Sequence, residues 1–320
     1  MISMSDITNT YQLIKNDIYE TPLIYSSALS AISGANVYLK MEHLQHTGSF
    51  KIRGLLSKLY SVDKEDFEKT FVAASTGNHA AAFGYASKVF GFRGVLFLPH
   101  TTSKVKVKAL QSYDLTIHFY GKNSMEAEQK AVAYAKEIQG IMIHPYNDLE
   151  IIKGQGTIGL EIKKQLPNVD VVLTPVGGGG LVAGIASYFK EFETEVVGCQ
   201  PKNAAEMYES VQNNRIVKPS IQNTISDATA GGIEDKAITF DICKKHLSSF
   251  ELIQENTIKK AIAFIVNNHH TLIEPASALP VAALFEHKKY QGKNVVLVLT
   301  GKKINTTLLT EILIEYDHNY

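Results

Sequence analysis

Short apolar runs alternate along this chain with longer segments whose apolar residues recur every three or four positions. Residues 71–75, 94–98, 115–119, 169–174, 195–199 and 294–300 read as strands, and residues 79–90, 103–112, 123–139 and 148–166 as amphipathic helices. Nearly continuous hydrophobic strands are expected where helices cover both faces of a sheet, so the pattern predicts an α/β architecture with largely parallel sheets. Strand-like runs lie on both sides of residue 150, and periodicity leaves open whether they form one large sheet or two smaller ones. No internal repeat or low-complexity linker interrupts the alternation.

Composition narrows the picture modestly. A chain of 320 residues, 45% hydrophobic and 20% charged, is long enough for two domains. Lys and Arg number 32 and so do Asp and Glu, a balance that does not suggest a nucleic-acid partner. The two cysteines, Cys199 and Cys243, form neither a disulfide framework nor a metal-ligand cluster, and Cys199 sits in an apolar run that suits a buried thiol. The N-terminus lacks a basic segment followed by an apolar stretch, and no apolar run approaches the ~20 residues of a membrane span. A soluble cytoplasmic protein is the expectation.

Two glycine-bearing segments carry candidate chemistry. Gly177, Gly178, Gly179 and Gly180 follow a strand and precede a helix. Consecutive glycines let main-chain N–H groups converge without a Cβ in the way, and the helix N-terminus adds positive potential, which suits a phosphate. A tight turn alone rarely needs four glycines. No Walker-type Gly-Lys-Ser/Thr ends the loop, and the third glycine of a dinucleotide loop is absent, so a phosphate-bearing coenzyme of another kind is favoured. Ser75, Thr76, Gly77, Asn78 and His79 likewise join a strand end to a helix and gather donors where a carboxylate would be held. Helix capping would account for one of these residues, not for the run.

The most distinctive stretch is residues 39–54, containing Gly48, Ser49, Phe50, Lys51, Ile52, Arg53 and Gly54. It resembles the cofactor-lysine segment of the threonine/serine dehydratase family, the fold-type II pyridoxal-phosphate enzymes that include serine racemase and the dehydratase-like protein of hydroxyectoine utilization. Thr21-Pro22-Leu23, residues 75–79, Gly154 to Thr157, the tetraglycine, Ala230 to Ile233 and Glu274 to Ser277 resemble the family in order and spacing. Ser-Phe-Lys-Ile-Arg-Gly is similar to dehydratases rather than to cysteine synthases, which typically have Ser-Val-Lys-Asp-Arg.

The resemblance implies a two-domain architecture like that of the tryptophan synthase β subunit, with mostly parallel sheets flanked by helices. Residues 1–51 and 152–320 would form a larger cofactor-binding domain and residues 52–151 a smaller substrate-binding one. It implies pyridoxal 5'-phosphate bound to Lys51 as a Schiff base, with the freed lysine acting as general base at Cα. Gly177, Gly178, Gly179 and Gly180 would hold the phosphate and Asn78 the 3' oxygen of the ring. Phe50 would pack on the ring or serve simply as a core residue, and Glu274 would lie close by. Ser75, Thr76, Gly77, Asn78 and His79 would hold the substrate carboxylate, mainly through main-chain donors. Thr300 would stand beside the pyridine nitrogen, where a neutral hydroxyl favours elimination over transamination. Serine would yield pyruvate and threonine 2-oxobutanoate, each with ammonia. A homodimer acting on a small amino acid follows by the same analogy.

Several positions depart from the pattern. Thr76 stands where serine racemase has its second acid–base serine; it keeps the hydroxyl but stiffens χ1, so racemisation is not favoured. Gln200, Ala204 and Glu206 match the metal ligands of racemase-like members. An amide in place of the first carboxylate weakens a hard-cation site, so a divalent cation is not favoured. Lys302 and Lys303 replace small or Asn residues and motivate a reading as an inactive cofactor-binding sensor. A racemase, or an eliminase for 3-hydroxyaspartate or a hydroxyectoine-derived substrate, are the enzymatic alternatives. Tyr146 and Asp148 lie near family active-site segments with roles that could be structural. The chain is expected to lack the C-terminal regulatory domain of biosynthetic threonine deaminases.

Overall fold

The computed structural model describes residues 2–316. Ten strands, β1 Leu23–Tyr25, β2 Asn36–Lys40, β3 Phe71–Ala74, β4 Gly94–Leu98, β5 Leu115–Phe119, β6 Ile141–Met142, β7 Val171–Pro175, β8 Glu195–Pro201, β9 Ser249–Ile253 and β10 Asn294–Val298, form two sheets. The larger has the order β1-β2-β10-β7-β8-β9 and the smaller β5-β4-β3-β6. All neighbours are parallel except the edge pair β1 and β2. The question left open by periodicity resolves as two sheets, the smaller drawn entirely from residues 71–142.

Each sheet is covered on both faces, as its continuous apolar strands require. Val295 and Leu297 of β10 pack with Val171, Leu173 and the helices Glu255–His269 and Pro275–Glu286, while Val296 and Val298 pack on the opposite side with helix Gly180–Phe189. The smaller sheet repeats the alternation, with Phe71 and Ala73 on one face and Val72 and Ala74 on the other. Three predicted helices begin at side-chain caps: Ser103, Asn123 and Asp148 each accept a main-chain N–H from the first turn.

Four strands escaped the apolar pattern for physical reasons. β1 and β6 have three and two residues, too few to show a period. β2 ends in Lys40 and β9 contains Glu251, charged residues that the structure nonetheless buries.

Helix Leu149–Gln165 sets the position of two functional segments at once. A Cβ on Gly154 would come within 2.5 Å of Arg53 O and of Gly54 Cα, and one on Gly156 within 2.9 Å of Gly184 O. These close approaches press helix Lys51–Tyr60 and helix Gly180–Phe189 against the same partner. Beside them lies a buried ion cluster. Arg53 donates to Glu42 through Nε (2.7 Å) and Nη2 (2.8 Å), and to Glu161 through Nη1 (2.7 Å) and Nη2 (2.8 Å). Lys40 Nζ donates to Glu161 at 2.6 Å, and all four side chains are fully buried. Two cations face two anions, so the cluster is neutral as a whole.

Candidate active site

In a parallel sheet the C-terminal strand ends and the helix N-termini that follow them face one side, where ligands bind. The candidate site assembles from such ends. β3 leads into residues 75–79, β7 into the tetraglycine, and β10 into Thr300 and Gly301. The segment before Lys51 is stitched to the end of β10: Phe50 N donates to Thr300 O at 3.1 Å, and Lys302 N to Gly48 O at 3.1 Å.

Lys51 opens helix Lys51–Tyr60, and its Nζ donates to Pro145 O at 2.7 Å. Burial lowers its pKa from the ordinary 10.5 to about 8, against the pull of Glu128 and Glu274. A substantial fraction of the amine is therefore neutral close to physiological pH. Phe50 packs on the core side of the larger sheet while remaining partly exposed, with its ring centroid 5.2 Å from Lys51 Nζ.

The tetraglycine is required by its surroundings. Gly179 has φ of +90°, and a Cβ on Gly178 or Gly180 would come within 2.5 or 2.9 Å of Tyr146. Thr239 Oγ1 donates to Gly178 O at 2.7 Å, and helix Gly180–Phe189 has no side-chain cap for its first N–H groups. Uncapped donors of this kind suit an anion. Gly178→Ala is expected to weaken cofactor binding by about 1–3 kcal/mol through the clash with Tyr146, measured as a raised Kd in a titration followed by cofactor absorbance.

The segment 75–79 is similarly open. Ser75 Oγ accepts from Gly77 N at 3.2 Å, nothing lies within 4 Å of a Cβ built on Gly77, and helix Asn78–Phe90 lacks a side-chain cap. Thr76 is partly buried. The His79 side chain is turned into the protein, with Nε2 donating to Ile143 O at 3.0 Å, and burial lowers its pKa to about 3. The ring is neutral, and a contribution to the loop's ligand would come from its main chain.

Asn78 Nδ2 donates to both carboxylate oxygens of Glu274 at 2.8 Å, while its Oδ1 is buried without a partner. Burial raises the Glu274 pKa to about 7, and a Cβ on Gly301 would lie 2.5 Å from Glu274 Oε1. Thr300 is buried, with Oγ1 3.1 Å from Ser277 Oγ. Lys302 and Lys303 are exposed; the Lys302 stem covers Gly48. Gln200, Ala204 and Glu206 line a small pocket together with Gly177, Thr229 and Gly232. Gln200 Nε2 donates to Val176 O at 3.2 Å, its Oε1 accepts from Tyr208 N at 2.9 Å, and Glu206 accepts from Ile233 N at 3.1 Å.

Three residues at this site carried no signal along the chain. Glu128, His144 and Glu234 place their ligand atoms within 4.8 Å of one another, next to the carbonyl that holds Lys51. They come from three separate segments, so no spacing could announce them.

A sheet-end site with a half-buried lysine, a glycine loop at an uncapped helix and a second helix N-terminus suits coenzyme-assisted amine chemistry. Residues 14–301 match the model of the pyridoxal-phosphate dependent enzyme family, and the chain belongs to that family. It is 35% identical over 315 residues to the L-threonine ammonia-lyase of Thermotoga maritima, covering 98% of this chain and 78% of that one. A solved serine racemase from Dictyostelium discoideum superposes with a TM-score of 0.88 at 32% identity, covering 95% of this chain and 99% of that one. The processed form of threonine deaminase isoform 2 from Solanum lycopersicum does so with a TM-score of 0.89 at 31% identity, covering 97% and 91%.

The residues present fit pyridoxal phosphate. The glycine loop leaves its helix donors free, Asn78 retains an unpartnered buried oxygen, and Lys51 has an amine of lowered pKa. Among the described residues no helix is long and apolar enough to cross a membrane.

Proposed function

We propose that this enzyme is an ammonia-lyase converting L-threonine or L-serine, or a related β-hydroxy amino acid, to a 2-oxo acid and ammonia. The observation that carries the reading is Lys51, an amine of lowered pKa at the start of a helix locked to the end of β10. The names of the 35% identical relatives, L-threonine ammonia-lyase and catabolic L-threonine dehydratase, support it.

In this reading the main-chain donors of residues 75–79 hold the substrate carboxylate and thereby fix Cα. Bound pyridoxal phosphate, anchored by Gly177, Gly178, Gly179 and Gly180 and flanked by Phe50, Asn78, Glu274 and Thr300, supplies the electron withdrawal that makes the α proton acidic. The neutral Lys51 amine takes that proton, and loss of the β-hydroxyl completes the elimination. The Thr300 hydroxyl offers the ring nitrogen a neutral neighbour, and the Thr76 hydroxyl lies in the carboxylate loop.

The same reading assigns residues 1–51 and 152–320 to the cofactor-binding domain and 52–151 to the substrate-binding one, with the site in a cleft that closes on substrate. It places the protein in the cytoplasm as a homodimer that binds neither nucleic acid nor membrane and needs no metal.

The test is a panel of L- and D-β-hydroxy amino acids assayed for oxo-acid release and for inversion at Cα. Oxo acid from L-threonine or L-serine without inversion is expected. Because the active form of Lys51 is the deprotonated one, kcat is expected to rise as pH increases through about 8. Cofactor binding without oxo acid from any member of the panel refutes the lyase; inversion in place of elimination identifies a racemase.

A further inference from the structure

Residues 143–147 join the two sheets behind Lys51. His144 Nε2 lies 3.0 Å from Glu128 Oε1 and 3.0 Å from Glu234 Oε1. Glu128 belongs to helix Ser124–Glu137, which packs on the smaller sheet. Glu234 belongs to the segment before helix Ile238–His246, on the larger sheet's side. The link is reinforced around the loop: Asn147 Nδ2 donates to Glu234 Oε2 at 2.7 Å, Ile238 N to Asn147 Oδ1 at 2.9 Å, and Glu234 N to the Tyr146 hydroxyl at 3.0 Å. Between His144 and Tyr146 sits Pro145, whose carbonyl takes the Lys51 ammonium hydrogen.

One imidazole and two carboxylates have the composition of a small cation site, but the ring's other nitrogen argues otherwise. His144 Nδ1 accepts from Asn147 N at 2.7 Å and from Tyr146 N at 3.2 Å. Against the effect of burial, Glu128 and Glu234 favour a proton on the ring, raising its pKa to about 9, and the main-chain donors at Nδ1 place that proton on Nε2, which is therefore not offered to a metal. The two carboxylates favour a donor there and are satisfied by one.

We propose that His144 is a positioning residue for Lys51. Clamped between Glu128 and Glu234, it fixes the Pro145 carbonyl and the Glu128 carboxylate around Lys51 Nζ and holds Tyr146 against the glycine loop. The kinetic consequence rests on the lyase reading above; the geometric one does not. The charged and titratable groups facing the cluster are Lys51 and His79 from the helices that bear them, Tyr146 from the loop itself, and Glu206 beyond Tyr146. Glu128 pulls most strongly of the neighbouring charges toward the protonated form of Lys51, and Glu274 more weakly.

Three measurements on the full-length chain test this. Nitrogen-15 NMR of His144 is expected to show a bare Nδ1 and a protonated Nε2; the opposite tautomer means a cation ligand and overturns the proposal. His144→Asn is expected to lower kcat by about 10- to 100-fold while KM changes by less than about threefold. His144→Gln, whose amide is one CH2 longer and reaches toward the Nε2 position that Asn leaves empty, is expected to recover part of the loss. In the cofactor-free chain, the pH dependence of Lys51 modification by an amine-directed reagent is expected to shift to lower pH in His144→Asn. Glu128→Gln should produce the same shift even if the His144 variants fold poorly. An unshifted Lys51 titration in Glu128→Gln, or unchanged kcat in a less stable His144→Asn, overturns the positioning role. A wild-type protein with no lyase turnover refutes the function proposed above and leaves the NMR and lysine titrations standing as tests.

Discussion

Lys51→Ala is expected to abolish oxo-acid release, by about 10⁴-fold or more, because in the proposed mechanism this residue supplies both the cofactor's attachment and the base at Cα. A steady-state assay at saturating substrate checks this, with the visible absorption of bound cofactor read in parallel. Turnover within tenfold of wild type would sink the assignment of Lys51.

The same position has a stability signature of opposite sign. The Lys51 pKa is about 8 in the folded chain and 10.5 in the ordinary state, so between these values the unfolded chain binds more protons. Folding therefore pays a penalty that is complete below pH 8 and disappears as pH rises to 10.5. Lys51→Met, which keeps the stem and drops the amine, is expected to make the cofactor-free chain more stable on the order of 2 kcal/mol at pH 7. The gain should shrink steadily above pH 8 in thermal melts. A gain that does not depend on pH would mean that the lysine is not held against its charge preference.

The second large effect belongs to the buried cluster of Lys40, Glu42, Arg53 and Glu161. Glu161→Gln leaves two buried cations facing one anion and is expected to destabilise the fold by about 3–5 kcal/mol. The loss should appear as a lowered Tm and a lowered urea midpoint. The cost comes from the uncompensated charge more than from the lost pair, since apolar replacement of a whole buried cluster is often neutral. Arg53 lies two residues beyond Lys51 in the same helix turn. Loosening it should therefore also reduce kcat in the surviving folded protein. A Tm unchanged by Glu161→Gln would show that the cluster is solvated or already neutralised.

Much of the site can be read along the chain because its chemistry is local. Four consecutive glycines report a loop with no room for Cβ atoms, and the neighbour that takes the room is Tyr146. The run from Ser75 to His79 reports a strand end feeding an uncapped helix. Lys51 stands out because its flanking string is distinctive. The side-chain direction of His79 is not legible in this way: its ring binds Ile143 O, a carbonyl 64 residues later. Nor is the pairing of Asn78 with Glu274, which are 196 residues apart.

The sequence by itself determined the α/β alternation, the glycine loop, the strand-end run of residues 75–79 and the string around the lysine, since each depends on residues within a dozen positions. Tertiary structure decided what surrounds them. It split the strands into two sheets, buried Lys40 and Arg53 against Glu42 and Glu161, and brought Glu128, His144 and Glu234 together behind Lys51. The physical reason is that burial and long-range Coulomb partners fix a titratable group's behaviour, and neither is encoded in local spacing. Lys51 is identifiable from its neighbours in the chain, but its lowered pKa belongs to the fold.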